Sequence, residues 1–365
     1  MTLNIFLWCV LVPVLSSWIT VAYGAVRSID RKLTEWNALG SLSEVRSLAY
    51  LQNEYCLEDP QSPSSNITKT NSPTREPFYE SEYLATPLHV NIYEQICLIS
   101  SGQEPSATPV PMNEYNLVHS GAQICPTTIG SVDLLILVSS AVRNVPQRKL
   151  LRTAWSNDSQ WLGACVRYAF LMDSLPLEFD EAASGLTLEL STYRDIVQID
   201  LDGEPINETV RLIHGFRWSL AFCPQARWLL FVRDDNTVIP YNLIRFLFSI
   251  SEAMRQRLIA GAVWDDPIKS AVNSFLYPGR NVMAPSKTDR YLTFVATSPM
   301  LVSTVLSPAI YLAMRFTEFI DQPELFFAAV MHKLFIIPAQ VEQFYAFDRK
   351  PATDHERNLA IAYSD

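Results

Sequence analysis

The sequence predicts an α/β domain built on a mostly parallel central sheet flanked by helices. Short apolar runs recur from about residue 130 onward, bounded by Gly, Ser or Asp, and read as buried strands. Stretches with apolar residues at helical spacing separate them. Strands alternating with helices imply a parallel sheet covered on both faces.

The first run is residues 132–138, between Gly130 and the pair Ser139-Ser140. Asn144 is placed to cap the helix that follows, with Pro146 in its first turn. On that helix Arg148 and Arg152 are four apart and share a face. Further strands are expected at 166–172, 195–199 and 227–232. A helix is expected over 207–222, with Ile213, Phe216 and Leu220 on one face, and another over 241–255, with Leu243, Phe246, Leu247 and Ile250 in step. Trp155, Trp218 and Trp228 are expected in the core, and His214 and His332 at ordinary helix positions.

The chain has 365 residues, of which 48% are hydrophobic and 18% charged, a balance that supports a sizeable core. A net charge of −10 excludes a nucleic-acid binder that depends on a basic footprint. From Met1 to Ala25 there is no charged side chain, and at ~1.5 Å per helical residue the apolar run is long enough to span a bilayer. It reads either as a signal anchor or as a cleavable signal peptide ending near Ala22-Tyr23-Gly24. Arg27, Arg31 and Lys32 follow the run, a charge placement that does not favour the anchor. Sequons at Asn66, Asn157 and Asn207 fit a secretory route. Of 6 cysteines, Cys9 lies in the apolar run. Cys56, Cys97, Cys125, Cys165 and Cys223 form an odd set, so at least one stays reduced or bonds another chain, and Cys165 with Cys223 is one candidate pair. Residues 59–78 and 101–112 are rich in Pro and small polar residues and read as loop or disorder.

The most suggestive chemistry follows the run 227–232: Arg233-Asp234-Asp235-Asn236. In open α/β sheets the ligand crevice lies beyond the carboxyl ends of the strands. A carboxylate there can hold Mg²⁺ or Mn²⁺, and the ion can bridge to a diphosphate leaving group.

These pieces, in order, resemble the β-1,3-galactosyltransferase and β-1,3-N-acetylglucosaminyltransferase family, glycosyltransferase family 31. That family opens with an apolar strand, two serines and a helix of the form Arg-x-x-x-Arg-x-Thr-Trp. This chain has residues 135–140, then Arg148, Arg152 and Trp155. The family continues with Tyr-x-Asp-Ile-(Ile/Val)-Gln-x-Asp and Asn-Leu-Thr, here residues 193–200 and 207–209. A Gly-x-x-Trp helix ending in Cys-Pro-x-Ala follows, here Gly215 to Trp218 and Cys223 to Ala226. The match covers residues 130–340 and is densest over 132–247.

Three departures stand where the chemistry would occur. The family's Asp-Asp-Asp-Val motif is Arg233-Asp234-Asp235-Asn236 here, so the usual metal ligand survives as Asp235 and the first acid is an arginine. Arg233 either contacts a diphosphate or pairs with Asp234 or Asp235 and weakens metal binding. Two glycines of the acceptor-side motif are replaced by Thr297 and Pro299, which reshapes that loop. The aspartate base of the family corresponds to Glu324.

The resemblance implies a GT-A-like nucleotide-sugar transferase domain that moves galactose or an N-acetylhexosamine from a UDP-sugar to a hydroxyl of a glycan acceptor on glycoprotein or glycolipid, with inversion. Asp235 would hold Mn²⁺ or Mg²⁺, with Asp234 and Arg233 beside it; Arg148 and Arg152 would contact the donor nucleotide; Glu324 would be the base. A catalytically inactive relative that binds glycans or assists a partner enzyme is the alternative. The expected layout is a signal anchor or signal peptide at 1–26, a luminal, partly disordered stem at 27–128, the transferase domain at 129–345 and a C-terminal tail at 346–365. Through its N-terminal segment the chain would be a single-pass type II protein of the Golgi membrane, or secreted if that segment is cleaved.

Overall fold

The computed structural model describes residues 90–110, 116–126, 128, 130–174, 180–200, 207–264, 293–346 and 349–364. The N-terminal apolar run, the Asn66 sequon and the Pro/Ser-rich stretch 59–78 lie outside the described residues. Among the described helices none is long and apolar enough to cross a membrane.

The expected α/β architecture is the one observed. In chain order the elements are α1 (Ile92–Ser100), β1 (Asn116–His119), β2 (Leu134–Ser139), α2 (Val145–Trp155), β3 (Val166–Asp173), α3 (Asp180–Tyr193), β4 (Ile196–Asp200), α4 (Glu208–Phe222), β5 (Trp228–Arg233) and β6 (Asn236–Val238). They continue with α5 (Pro240–Ser249), the short α6 (Glu252–Arg255), β7 (Ile259–Trp264), β8 (Phe294–Ser303), α7 (Ser307–Arg315), α8 (Pro323–Lys333), β9 (Ala339–Gln340), α9 (Asp354–Leu359) and β10 (Ala362–Ser364). The main sheet runs β1-β4-β3-β2-β5-β8-β7-β9. Its centre, β4-β3-β2-β5, is parallel throughout, while β8 joins β5 and β7 antiparallel.

The apolar runs become central strands because both of their faces are covered. Along β2 and β5 successive side chains point to opposite sides. Leu135, Leu137, Leu229 and Phe231 pack with Phe216 of α4, Ile310 of α7 and Phe327 of α8. Leu134, Ile136, Val138, Leu230 and Val232 pack on the other side with Leu151 and Trp155 of α2 and Leu243 and Leu247 of α5. The result is a three-layer domain whose helices cover both faces of the sheet's apolar centre. The helix expected over 241–255 is divided into α5 and α6 at Ile250 and Ser251, where Ser251 caps the second piece.

The packed unit extends on both sides of the expected 129–345. Within the segment assigned to the stem, Ile92, Ile96 and Ile99 of α1 enter the main core, and β1 pairs with β4. At the other end β10 pairs antiparallel with β6, and Ala360, Ile361 and Ala362 are buried. Cys223 is disulfide-bonded to Cys125, not to Cys165. The bond joins the end of α4 to the segment after β1, a pairing that spacing alone left undecided.

Gly215 marks the closest approach of α4 to the sheet. A Cβ there would stand 2.6 Å from Phe231 Cε1 and 3.3 Å from Leu137 Cδ1. Alanine would gain ~1 kcal/mol of helix propensity but lose ~1–3 kcal/mol to overpacking against a rigid sheet. Gly215→Ala is therefore expected to lower stability by about 1 kcal/mol in denaturant or thermal melts; an unchanged or raised melting point would show that the helix can move away without loss.

Candidate active site at the strand ends

β2 and β5 are parallel neighbours in register, with Ser139 opposite Arg233, so their carboxyl ends open on the same edge. The acidic turn begins there. Asp234 N–H donates to Ser139 O at 3.0 Å. Asp234 Oδ2 accepts from Ser140 Oγ at 2.7 Å and from Asn144 Nδ2 at 2.8 Å. Asn144 does occupy the N-cap position of α2, with Pro146 in the first turn, but its side chain makes no capping bond. Its side-chain amide is turned to Asp234 instead, to which Nδ2 donates.

The resemblance implies a donor-nucleotide contact for Arg148 and Arg152; in the structure both guanidinium groups are buried and bonded within the protein. Arg148 is fully buried and spends every N–H inside the protein. Its Nε and Nη2 donate to Glu189 at 2.8 and 2.7 Å. Its Nη1 donates to Ser140 Oγ at 2.9 Å and to Ala141 O at 2.6 Å, and Nη2 also to Val142 O at 2.9 Å. Arg152, also buried, bridges Glu189 at 2.6 Å and grips Asp195 with Nε and Nη2 at 2.8 and 2.7 Å. Its guanidinium lies over the rings of Tyr193 and Phe170, 4.0 and 4.7 Å from their centroids. The shared face of α2 thus docks on α3 and on the entry to β4 through a buried ion network. Arg148 in this setting has no donor left for a diphosphate, and Arg152 commits three of its five N–H groups to Glu189 and Asp195.

Burial acts to raise the Glu189 carboxyl, but hydrogen bonds from Arg148 and Arg152 outweigh it and hold the group below the ordinary carboxylate range. A depressed carboxylate contributes stability that is complete above its unfolded value and lost as pH falls through its folded value. Glu189→Gln leaves a buried arginine short of charge and is expected to cost ~3–5 kcal/mol at neutral pH. The gap between variant and parent should narrow as the pH drops below the ordinary carboxylate range. Denaturant melts at neutral and acidic pH check both; a pH-independent gap would remove the charge argument.

Arg233 is paired with Asp235. Its Nε donates to Asp235 Oδ1 at 3.0 Å and its Nη2 contacts Oδ2. This hydrogen bond, partly opposed by burial, raises the already high Arg233 value further. Both side chains remain about half exposed, at 50% and 41%. The Arg233 backbone N–H donates to Asn236 Oδ1 and to Ser298 Oγ, each at 2.8 Å, and Ser298 Oγ donates to Asn236 Oδ1 at 2.6 Å. The neighbouring Thr297 Oγ1 donates to Glu324 Oε1 at 2.8 Å, in the first turn of α8. Thr297 and Ser298 therefore tie the acidic turn to the expected base.

Pro299 lies within β8, where the ladder is irregular. The pairing of β7 with β8 shifts between Gly261 opposite Met300 and Val263 opposite Val295, so residues 296–299 bulge from the ladder. Gly261 accommodates the bulge, since a Cβ there would stand 3.2 Å from Pro299 O.

The fit to a divalent cation is poor. Among the described residues no group of three His, Cys, Asp or Glu side chains could hold a metal. Both oxygens of Asp235 engage Arg233, and one oxygen of Asp234 already accepts two hydrogen bonds. An incoming ion would have to displace a guanidinium and then sit beside its charge.

Of the expected site residues, Arg233, Asp234, Asp235 and Glu324 gather on the strand-end rim, while Arg148 and Arg152 stand behind it. Asn144 was expected only as a helix cap and Thr297 only as a replaced glycine, while Asn236 and Ser298 were not expected to have roles. Ser140 carried a signal as the second serine after β2, but the contacts of Thr297 and Ser298 join segments distant in sequence.

Residues 146–342, more than half of the chain, match the family model described as Galactosyltransferase. Among curated proteins, lactosylceramide 1,3-N-acetyl-beta-D-glucosaminyltransferase of Homo sapiens is 31% identical over 134 residues, covering 36% of this chain and 35% of that protein. Beta-1,3-galactosyltransferase 5 of Mus musculus is 25% identical over 221 residues, covering 59% and 68%. The chain thus spans about a third of the length of the first relative. Among solved structures, the galactosyltransferase LgtC with donor and acceptor sugar analogues aligns over 64% of this chain and 86% of that one, at 11% identity and a TM-score of 0.32, too loose a superposition to add to the argument.

Proposed function

This chain belongs to the galactosyltransferase family, and from that premise we propose that it is an inverting hexosyltransferase. It moves galactose or an N-acetylhexosamine from a UDP-sugar to a hydroxyl of a glycan acceptor on glycoprotein or glycolipid, forming a β-1,3 linkage. The observation that carries this reading is the link from Arg233 through Ser298 and Thr297 to Glu324, which supports a donor end and an acceptor end on one rim.

Glu324 is the general base. Thr297 holds Oε1 by hydrogen bond, so Oε2 takes the proton of the acceptor hydroxyl. The acceptor oxygen then attacks the anomeric carbon from the face opposite the diphosphate. The new C–O bond forms as the bond to the diphosphate breaks, the electron pair leaves with UDP, and the configuration inverts. The chain acts in the Golgi lumen, with residues 1–26 as a signal anchor, or is secreted if that segment is cleaved as a signal peptide.

A second reading, a catalytically inactive relative that binds glycans or assists a partner enzyme, is favoured by the pairing of Arg233 with Asp235 at the position of the family's metal ligand. Turnover separates the two. With the full chain, a screen of UDP-sugars against glycan acceptors is expected to find transfer. Glu324→Gln should reduce kcat by ~10²–10⁴-fold while leaving UDP affinity within about twofold. Absence of both transfer and donor hydrolysis across the screen favours the inactive reading.

A further inference from the structure

Arg233 and a divalent cation are competing occupants of Asp235. Arginine stands first in the acidic motif, and its guanidinium engages both oxygens of the carboxylate that would otherwise ligate the ion. Asp235 in turn fixes the guanidinium plane and keeps its charge at the carboxyl ends of β2 and β5, where an open α/β sheet receives its ligand. The pair uses Nε and Nη2, so the Nη1 donors remain for a ligand. With the side chain half exposed, a diphosphate can reach that edge without unfolding anything. The backbone beneath is rigid: the Arg233 N–H is held by both Asn236 and Ser298, and Asp234 by Ser140 and Asn144.

We propose that the Arg233 guanidinium, braced by Asp235, takes the place of the divalent cation and binds the diphosphate of a nucleoside diphosphate directly, so that this chain binds its donor without Mn²⁺ or Mg²⁺. This rests on the nucleotide-sugar reading above and narrows it. Planar guanidinium donors match phosphate oxygens, and the bond is charge-assisted on both sides. The carboxylate behind them plays the part that a second anion plays for a bound metal: it orients the cation and stays in place when the ligand leaves. In such a site the leaving diphosphate gains its positive partner from the chain itself.

The test is calorimetric titration of the full chain with UDP, in EDTA and again in Mn²⁺. The wild-type Kd is expected to change by less than about threefold between the two. Arg233→Ala should weaken UDP binding at least about tenfold in EDTA, and Arg233→Lys, which keeps the charge but loses the fork, should fall between. Arg233→Asp, which restores three acids in a row, should bind UDP poorly in EDTA and regain at least about tenfold with Mn²⁺. Melting curves of the variants should stay near wild type, because the side chain is half exposed. UDP binding that requires Mn²⁺ in the wild type, or that is unchanged in both Arg233→Ala and Arg233→Lys, overturns this proposal and leaves the transferase reading standing. Absence of UDP binding in either buffer overturns both.

Discussion

A line of hydrogen bonds runs from the core of the domain to its rim. Arg148, fully buried, donates to Ser140 Oγ, and Ser140 Oγ donates to Asp234 Oδ2. Behind Arg148 stand Glu189, Arg152 and Asp195, which lock α2 against α3 and the start of β4. Breaking a buried pair of this kind costs several kcal/mol, whereas an exposed pair on the same helix would contribute ~0.5 kcal/mol or less. The difference explains why an arginine pair in a helix can govern a loop elsewhere in the chain. The network fixes the serine, the serine fixes the aspartate, and the acidic turn inherits the rigidity of the sheet.

The same turn is held from two further directions. On one side Ser298 and Asn236 fasten the Arg233 backbone, and Thr297 carries the connection to Glu324 on α8. On another, β10 pairs with β6 immediately after the turn, Ile239 N–H donates to Ile361 O at 2.8 Å, and Asn242 Nδ2 donates to Ala360 O at 2.7 Å. The Arg233–Asp235 pair is the most exposed part of this assembly. Rigid surroundings with one accessible charged pair form the arrangement expected of a preorganised anion site, because little conformational entropy remains to be lost when a ligand arrives.

Much of the scaffold was legible because its signals are local. The run 132–138 is apolar enough to be buried on both faces, and Leu134–Ser139 forms the central strand. The helix over 207–222 appears as Glu208–Phe222 with Asn207 as its cap. Pairings between distant segments were not legible in the same way. Nothing near Glu189 in sequence shows that it bonds two arginines; that contact exists only when α3 is laid on α2. Cys165 was the candidate named for Cys223, and Cys125 takes its place only when the segment after β1 and the end of α4 are brought together. Arg233 was legible as an anomaly, a cation where an anion is usual, but its choice between a diphosphate and Asp235 depends on geometry. In the structure it takes Asp235, and that pairing leaves an edge of the guanidinium for phosphate.

The account turns on where a nucleoside diphosphate sits. A crystal structure of the full chain grown with UDP and without divalent cation tests it most directly. The account predicts density for the diphosphate at the carboxyl ends of β2 and β5, within hydrogen-bond distance of Arg233, with the Arg233–Asp235 pair intact. UDP bound elsewhere on the domain, or a diphosphate at the rim that leaves Arg233 out of contact, would contradict it.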